Sequence, residues 1–388
     1  MRIPFSYSLR NLWTRKLTTV LTAGGMALVS FVFVAVLMLA EGLEKTLADT
    51  GSPENAIVLR AAAETEISSA ISREDAGVVE VQPEVERGPL GETISAKESM
   101  VLVTLPRKAT GEPANVVVRG VGAKSLALRG QVKLISGRLF RVGSHEIIAG
   151  SNMAQRIRGA SLGGTLRFAL TEWRVVGVFD AGTTAFDSEV WGDVDQLMSA
   201  FRRNNYSALI LRIPGKRAFT DFRKRMESDP RLTVQVKREI AFYREQSEIM
   251  AQFIRILGLA MTIFFSVGAI LGAMVTMYAA VANRIREIGT LRALGFRSRA
   301  IVTSFMTEAI LLGSIGGLAG VAAGSLLHFL TISTMNWQTF SELAFGFQLT
   351  PQIALSTVGF SVAMGFVGGL LPAWSAARLK IVDALRAS

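Results

Sequence analysis

Four long apolar stretches, Leu17–Ala40, Ile256–Ala282, Ala309–Ile332 and Ile353–Leu371, interrupt an otherwise mixed chain. Each reaches the roughly 20 residues needed to cross a hydrocarbon core. His328 is the only Asp, Glu, Lys, Arg or His inside them. A polar segment, Glu41–Arg255, separates the first stretch from the second. The pattern predicts an α-helical integral membrane protein with four transmembrane helices and a large α+β extracytoplasmic domain inserted between helices 1 and 2. Residues 1–40 would hold a tail and the first helix, 41–255 the inserted domain with a helical stalk, and 256–388 the other three helices, an internal loop at 283–300 and a C-terminal tail.

Within the polar segment, runs of β-branched and aliphatic residues bounded by turn signals read as strands. They are Ala56–Leu59, Met100–Leu105, Val116–Val121, Glu146–Ala149, Thr165–Leu170, Trp173–Phe179 and Ala208–Ile213. Ser151–Arg158 and Val194–Arg202 read as short helices between them, hence a mixed α+β fold. Helical character returns at Arg238–Arg255, with no Gly or Pro between Glu239 and Leu257. Unbroken from Ile240 to Ala282, such a helix would be about 65 Å long, roughly twice the hydrocarbon thickness. A break near Gly258 is the alternative.

Charge fixes an expected orientation, because short loops rich in Lys and Arg stay cytoplasmic. Arg2, Arg10, Arg15 and Lys16 precede the first span; Arg284, Arg286, Arg292, Arg297 and Arg299 follow the second; Arg378, Lys380 and Arg386 follow the fourth. Ser333–Gln352, between spans three and four, has no Lys or Arg. Both termini are therefore expected inside an inner (cytoplasmic) membrane, with 41–255 outside. The net charge of +11 is not a nucleic-acid signature: 41–255 carries 30 basic and 27 acidic residues, so +8 belongs to the membrane flanks, where it can also meet anionic lipid. The absence of Cys rules out disulfides, and roughly 215 residues suffice for a core without them. A first span of 24 residues exceeds the roughly 7–15 of a cleaved signal core and is read as a retained helix.

The stretch Asn283–Phe296 carries the most specific pattern. Ile285, Ile288, Leu291 and Leu294 recur every third residue, predicting a short helix with an apolar stripe, the arginines on its other side and Gly295 as its stop. Its residue order, Arg286-Glu287-Ile288-Gly289 and then Arg292-Ala293-Leu294-Gly295, resembles the permease subunits of MacB-type ABC transporters with their FtsX-like permease domain. Pro372-Ala373-Trp374-Ser375-Ala376-Ala377-Arg378, followed by Asp383-Ala384-Leu385-Arg386, is similar to the family's C-terminal pattern, although Lys380-Ile381-Val382 stands where the family often has Asp-Pro. In the inserted segment, Gly137-Arg138-Leu139-Phe140, Glu146-Ile147-Ile148-Ala149-Gly150 with Ala154, and Trp173-Arg174-Val175-Val176-Gly177-Val178 resemble the family's periplasmic domain.

The resemblance implies a cytoplasmic ATPase partner and a second permease as homodimer or related heterodimer; a periplasmic adaptor is a further candidate partner. It implies that Arg284, Ile285, Arg286, Glu287, Ile288, Leu291, Arg292, Leu294 and Gly295 form the ATPase-coupling contact. The chain has no Walker phosphate cradle, since Gly215-Lys216-Arg217 lacks the upstream glycine and following hydroxyl. ATP and Mg are expected on the partner, and no cofactor or metal on this chain.

The spans carry little buried charge for a hydrophilic route: His328, expected to be hydrogen-bonded in or at the edge of the bundle, and Glu308, expected at the interface with Arg284 or Arg299 in reach. Gly313, Gly316, Gly317, Gly320 and Gly324 place small residues along one helix, for packing within the subunit or at a dimer seam. No catalytic constellation stands out. His145 is the inserted segment's only His, and Glu64/Glu66 and Glu84/Glu86 read as solvated. The expected function is ATP-driven motion of the outer domain for efflux or for lipoprotein or lipid export. A regulator of a cell-wall hydrolase is the alternative, and a secondary transporter lacks the inverted repeats and midplane charges it would need.

Overall fold

The computed structural model describes residues 10, 11, 13, 14, 16–182, 184–336 and 339–379. Arg2, Arg15, Lys380 and the Asp383–Arg386 motif lie outside the described residues. The chain divides into two units, residues 1–41, 252–330 and 347–388 in one and 42–251 with 331–346 in the other.

The first unit is helical. It takes most of α1 (Lys16–Ala48), the C-terminal part of α7 (Glu239–Ala282), α8 (Ile285–Ala293), α9 (Ser298–Ser325) extended by a 3-10 turn to Phe329, and α10 (Pro351–Ala377). Four of these helices are long and apolar enough to cross a membrane. Helix α7 runs 44 residues without a break, about 66 Å. Gly258 is no hinge: an added Cβ there would collide with Val36 of α1, so the glycine admits a close helix crossing. The third apolar stretch is displaced from its expected place. Helix α9 starts at Ser298 because its polar first turns are helical too, and Ile332 belongs to a strand. Helix α10 opens on Thr350, whose side chain accepts from Ile353 N–H, with Pro351 pre-set for the first turn.

The five α9 glycines all face this chain's own helices. An added Cβ at Gly313 would stand 2.6 Å from Ser361 O of α10, at Gly316 2.7 Å from Met26 Cβ and at Gly320 2.5 Å from Ser30 Cβ of α1. Gly317 meets Ser361 and Val358, and Gly324 meets Val34. Two glycine rows on one helix therefore seat two neighbours.

The second unit is α+β. Its strands are β1 (Asn55–Arg60), β2 (Ser95–Pro106), β3 (Pro113–Val121), β4 (Lys133–Gly137), β5 (Glu146–Gly150), β6 (Thr165–Phe168), β7 (Thr171–Asp180), β8 (Glu189–Asp193), β9 (Ala208–Arg212) and β10 (Val234–Arg238). They form one mixed sheet ordered β10-β1-β9-β2-β3-β8-β5-β7-β4, with β6 beside β7. The β3/β8 and β5/β7 pairs are parallel. Helices α2 (Arg73–Glu80), α3 (Ser125–Leu128), α4 (Ser151–Arg156), α5 (Val194–Ala200) and α6 (Lys216–Ser228) join them.

Alternation along the strands separates two faces. Val116 and Val118 of β3 pack with Trp173 and Val190 on one side. Val121 packs with Trp191, Phe179 and the α7 residues Phe242 and Tyr243 on the other. A hairpin from beyond α9, β11 (Thr331–Met335) with β12 (Glu342–Gly346), completes this unit. Its buried Glu342 carboxylate lies 3.3 Å from Arg107 Nη2 and 3.1 Å from Arg156 Nη2.

Candidate functional site

Helix α8 is nine residues long, too short to persist in water on propensity alone. Packing has to hold it. Residues four apart share a helix face, and Arg284, Ile288 and Arg292 all turn toward the rest of the unit. Arg284 donates from Nη1 to Glu308 Oε1 at 2.9 Å and from Nε to Glu287 Oε2 at 3.0 Å, with its guanidinium 5.0 Å from the Phe305 ring. Asn11 Nδ2 donates to the same Glu308 oxygen at 3.1 Å. The pair is buried, so neither charge can leave without stranding the other. Arg292 donates from Nη1 to the backbone oxygens of Leu379 (2.5 Å) and Ala377 (3.3 Å), closing the orphan carbonyls at the end of α10. Ile288 and Gly289 are buried between these anchors.

The end of α8 is a two-bond helix stop. Phe296 N–H donates to Leu291 O and Gly295 N–H to Arg292 O, both at 3.1 Å. Gly295 supplies the left-handed φ of +92° that this turn requires.

The structure redistributes the nine residues expected to form a coupling contact. Arg284 and Arg292 face inward as anchors instead of lining the outer side. Three-residue spacing drifts by about 60° per step on a helix of 3.6 residues per turn, so the apolar stripe cannot stay on one face. Ile288 is buried, Ile285 and Leu291 half-buried, and Leu294 is 66% exposed. Arg286, Glu287, Thr290, Ala293, Leu294 and Gly295 form the exposed side. His328, at the end of the α9 extension, is exposed and its Nδ1 lies 3.0 Å from Phe347 O.

A second charged constellation, in the sheet unit, was not visible in the sequence. Arg119 is 1% exposed. Its Nε and Nη2 donate to Glu189 Oε2 and Oε1 at 2.7 and 2.8 Å, and its Nη1 to Glu66 Oε1 at 2.6 Å and Glu98 Oε2 at 3.0 Å. Arg129 holds Glu98 from the other side at 2.5 and 2.8 Å. Trp191 Nε1 donates to Glu189 Oε2 at 2.7 Å and Tyr243 Oη to Glu66 Oε2 at 3.1 Å.

Desolvation pushes the Glu98 carboxyl up, but Arg129 and Arg119 outweigh it and hold its pKa below the ordinary range. Glu239 goes the other way: burial dominates and raises its pKa despite Arg129. Glu66 is thus not the solvated acid its sequence neighbourhood suggested. The alternating strands carried a signal only in retrospect, since Glu98, Arg119 and Glu189 occupy positions where an inward apolar residue would fit the pattern. The described residues hold no His, Cys, Asp and Glu group arranged to bind a metal.

Two family models match the chain. The MacB-like periplasmic core domain matches residues 19–229 and the FtsX-like permease C-terminal domain residues 259–381. The chain is 27% identical over 293 residues to the uncharacterized ABC transporter permease YknZ of Bacillus subtilis, covering 71% of each. It is 37% identical over 115 residues to the macrolide export ATP-binding/permease protein MacB of Syntrophobacter fumaroxidans, covering 30% of this chain and 15% of that one. With the MacB of Neisseria gonorrhoeae it shares 27% over 329 residues, 75% of this chain and 48% of the relative. The chain thus spans less than half the length of these MacB relatives.

Proposed function

Because the chain belongs to the family of MacB-type ABC transporter permeases, we propose that it works as the membrane subunit of an ATP-driven machine whose ATPase is a separate polypeptide holding ATP and Mg. Helices α1, α7, α9 and α10 cross the membrane with both termini inside, and the α+β unit works outside. The exposed side of α8 is the ATPase contact, with Leu294 as its apolar centre and Arg286 and Glu287 as its charged rim. Closure of the ATPase pushes on α8. Arg284 and Arg292 pass that push into α7, α9 and α10, because a helix tied by buried ionic and carbonyl contacts cannot slip against its bundle. The 44-residue α7 then carries the movement to the sheet.

The observation that carries this reading is the split of α8 into an anchored face and an exposed one. The scarcity of charge along the spans supports transmitted motion over a hydrophilic channel, and the outer unit would act on a substrate or adaptor for export or extraction. In a complex purified with its ATPase, Arg286→Glu combined with Leu294→Asp is expected to weaken association about tenfold, the effect of roughly 1.4 kcal/mol. Unchanged retention of the ATPase and unchanged ATP-driven movement of the outer unit would refute it.

A further inference from the structure

Helix α7 begins directly after β10, and its first two turns carry two buried polar groups one turn apart. Glu239 Oε2 accepts from Ser52 N–H at 3.0 Å and from Asn55 Nδ2 at 2.8 Å, and its Oε1 lies 3.5 Å from Arg129 Nη2. Tyr243 reaches Glu66, the carboxylate gripped by Arg119. The i and i+4 positions lie on one side of a helix, so both groups enter the same charged cluster. Their partners come from the sheet and its loops: Glu98 from β2, Arg119 from β3, Glu189 from β8, Glu66 from the segment after β1, and Arg129 from the end of α3. Phe186 caps the two guanidinium groups at 5.3 and 4.4 Å.

An apolar helix–sheet contact tolerates small slides, because methyl groups trade one neighbour for another. A desolvated charge does not: it is stable only with its directional partners in place. The cluster holds four carboxylates and two guanidinium groups, and the helix contributes one of the surplus acids. Burial, opposed by Arg129, Ser52 and Asn55 and reinforced by the nearby Glu98, raises its pKa.

We propose that Glu239 and Tyr243 are positioning residues for force transmission: they lock the first turns of α7 into the Glu66–Glu98–Arg119–Arg129–Glu189 socket, so that helix and sheet move as one body. The proposal rests on the reading of α7 as the transmitting element and names where its grip is made.

The test uses the full cysteine-free chain with its ATPase in nanodiscs. A spin-label pair at Ile249 and Glu172 reads helix against sheet, and a pair at Leu170 and Leu355 reads the nucleotide response of the outer unit. In the wild type the first distance stays narrow and unmoved on vanadate trapping with ATP while the second shifts. Glu239→Ala with Tyr243→Phe should broaden the first distribution at least twofold and abolish the shift of the second. Glu239→Gln, which keeps one oxygen to accept from Ser52 and Asn55, should narrow the first distribution again and recover the shift of the second.

A folded double variant with the wild-type helix–sheet distribution overturns the lock. Should that variant not fold, a wild-type helix–sheet distribution in both Glu239→Ala and Tyr243→Phe taken singly overturns it instead. If the wild-type Leu170–Leu355 pair ignores nucleotide while the helix–sheet results hold, the lock stands and the transmission reading fails.

Discussion

Arg119 is bonded to three carboxylates at once, and its side chain is almost wholly removed from solvent. Replacing it by Leu leaves Glu66 and Glu189 desolvated without a counter-charge, a loss of about 3–5 kcal/mol for a broken buried pair. Thermal unfolding of the variant should show a strongly lowered midpoint, and a change below about 1 kcal/mol would mean that the cluster is not the cohesive element its geometry implies. The acids also titrate in opposite senses. Glu98 has a lowered pKa, so its contribution is present above its unfolded value and fades as pH falls toward the folded one. Glu239 has a raised pKa, so its contribution is complete below its unfolded value and is lost as pH climbs through the folded one. Stability of Glu98→Gln should therefore fall less on acidification than that of the wild type, measured as denaturation midpoint against pH.

At the scale of elements, glycine placement separates packed helix faces from open ones. Gly320→Ala puts a methyl carbon where Ser30 Cβ stands 2.5 Å away, and overpacking of this kind costs about 1–3 kcal/mol. Gly272 has nothing within 4 Å of an added Cβ, so Gly272→Ala should be neutral or mildly stabilising within one chain. Detergent-solubilised melting curves of the two variants should diverge accordingly.

The same contrast between packing and exposure decides how much of the fold could be read from the chain. Strands β3 and β7 announce themselves because their apolar residues recur with the pleat. β4 does not, since all five of its residues are exposed and no burial shaped their order. α2 and α6 leave no trace for a related reason: each buries only two residues, too few to print a periodicity. β8 is buried throughout, yet Glu189 and Asp193 make it look like a surface segment. The nine-residue helix α8 was legible from its motif, but its inward and outward faces were not. Those depend on Glu308 and on the end of α10, both far along the chain.

For the whole molecule, the arrangement of apolar helices and a large α+β unit makes sidedness the decisive property. The chain contains no cysteine, so single reporters are unambiguous. Cysteine placed at Ala293, on the exposed side of α8, should react with a membrane-impermeant maleimide only after the membrane is opened. One at Glu172, on β7, should react in intact cells. The reverse pattern would invert the proposed topology and with it the path of force.

The hairpin β11–β12 bears on biogenesis. It is made after α7, α8 and α9, yet it supplies the carboxylate that lies against Arg107 and Arg156. During synthesis those two arginines must wait, without that partner, for more than 170 further residues to leave the ribosome. The α+β unit therefore closes late, and a nascent chain arrested before Thr331 should be cut by added protease more readily than the full chain.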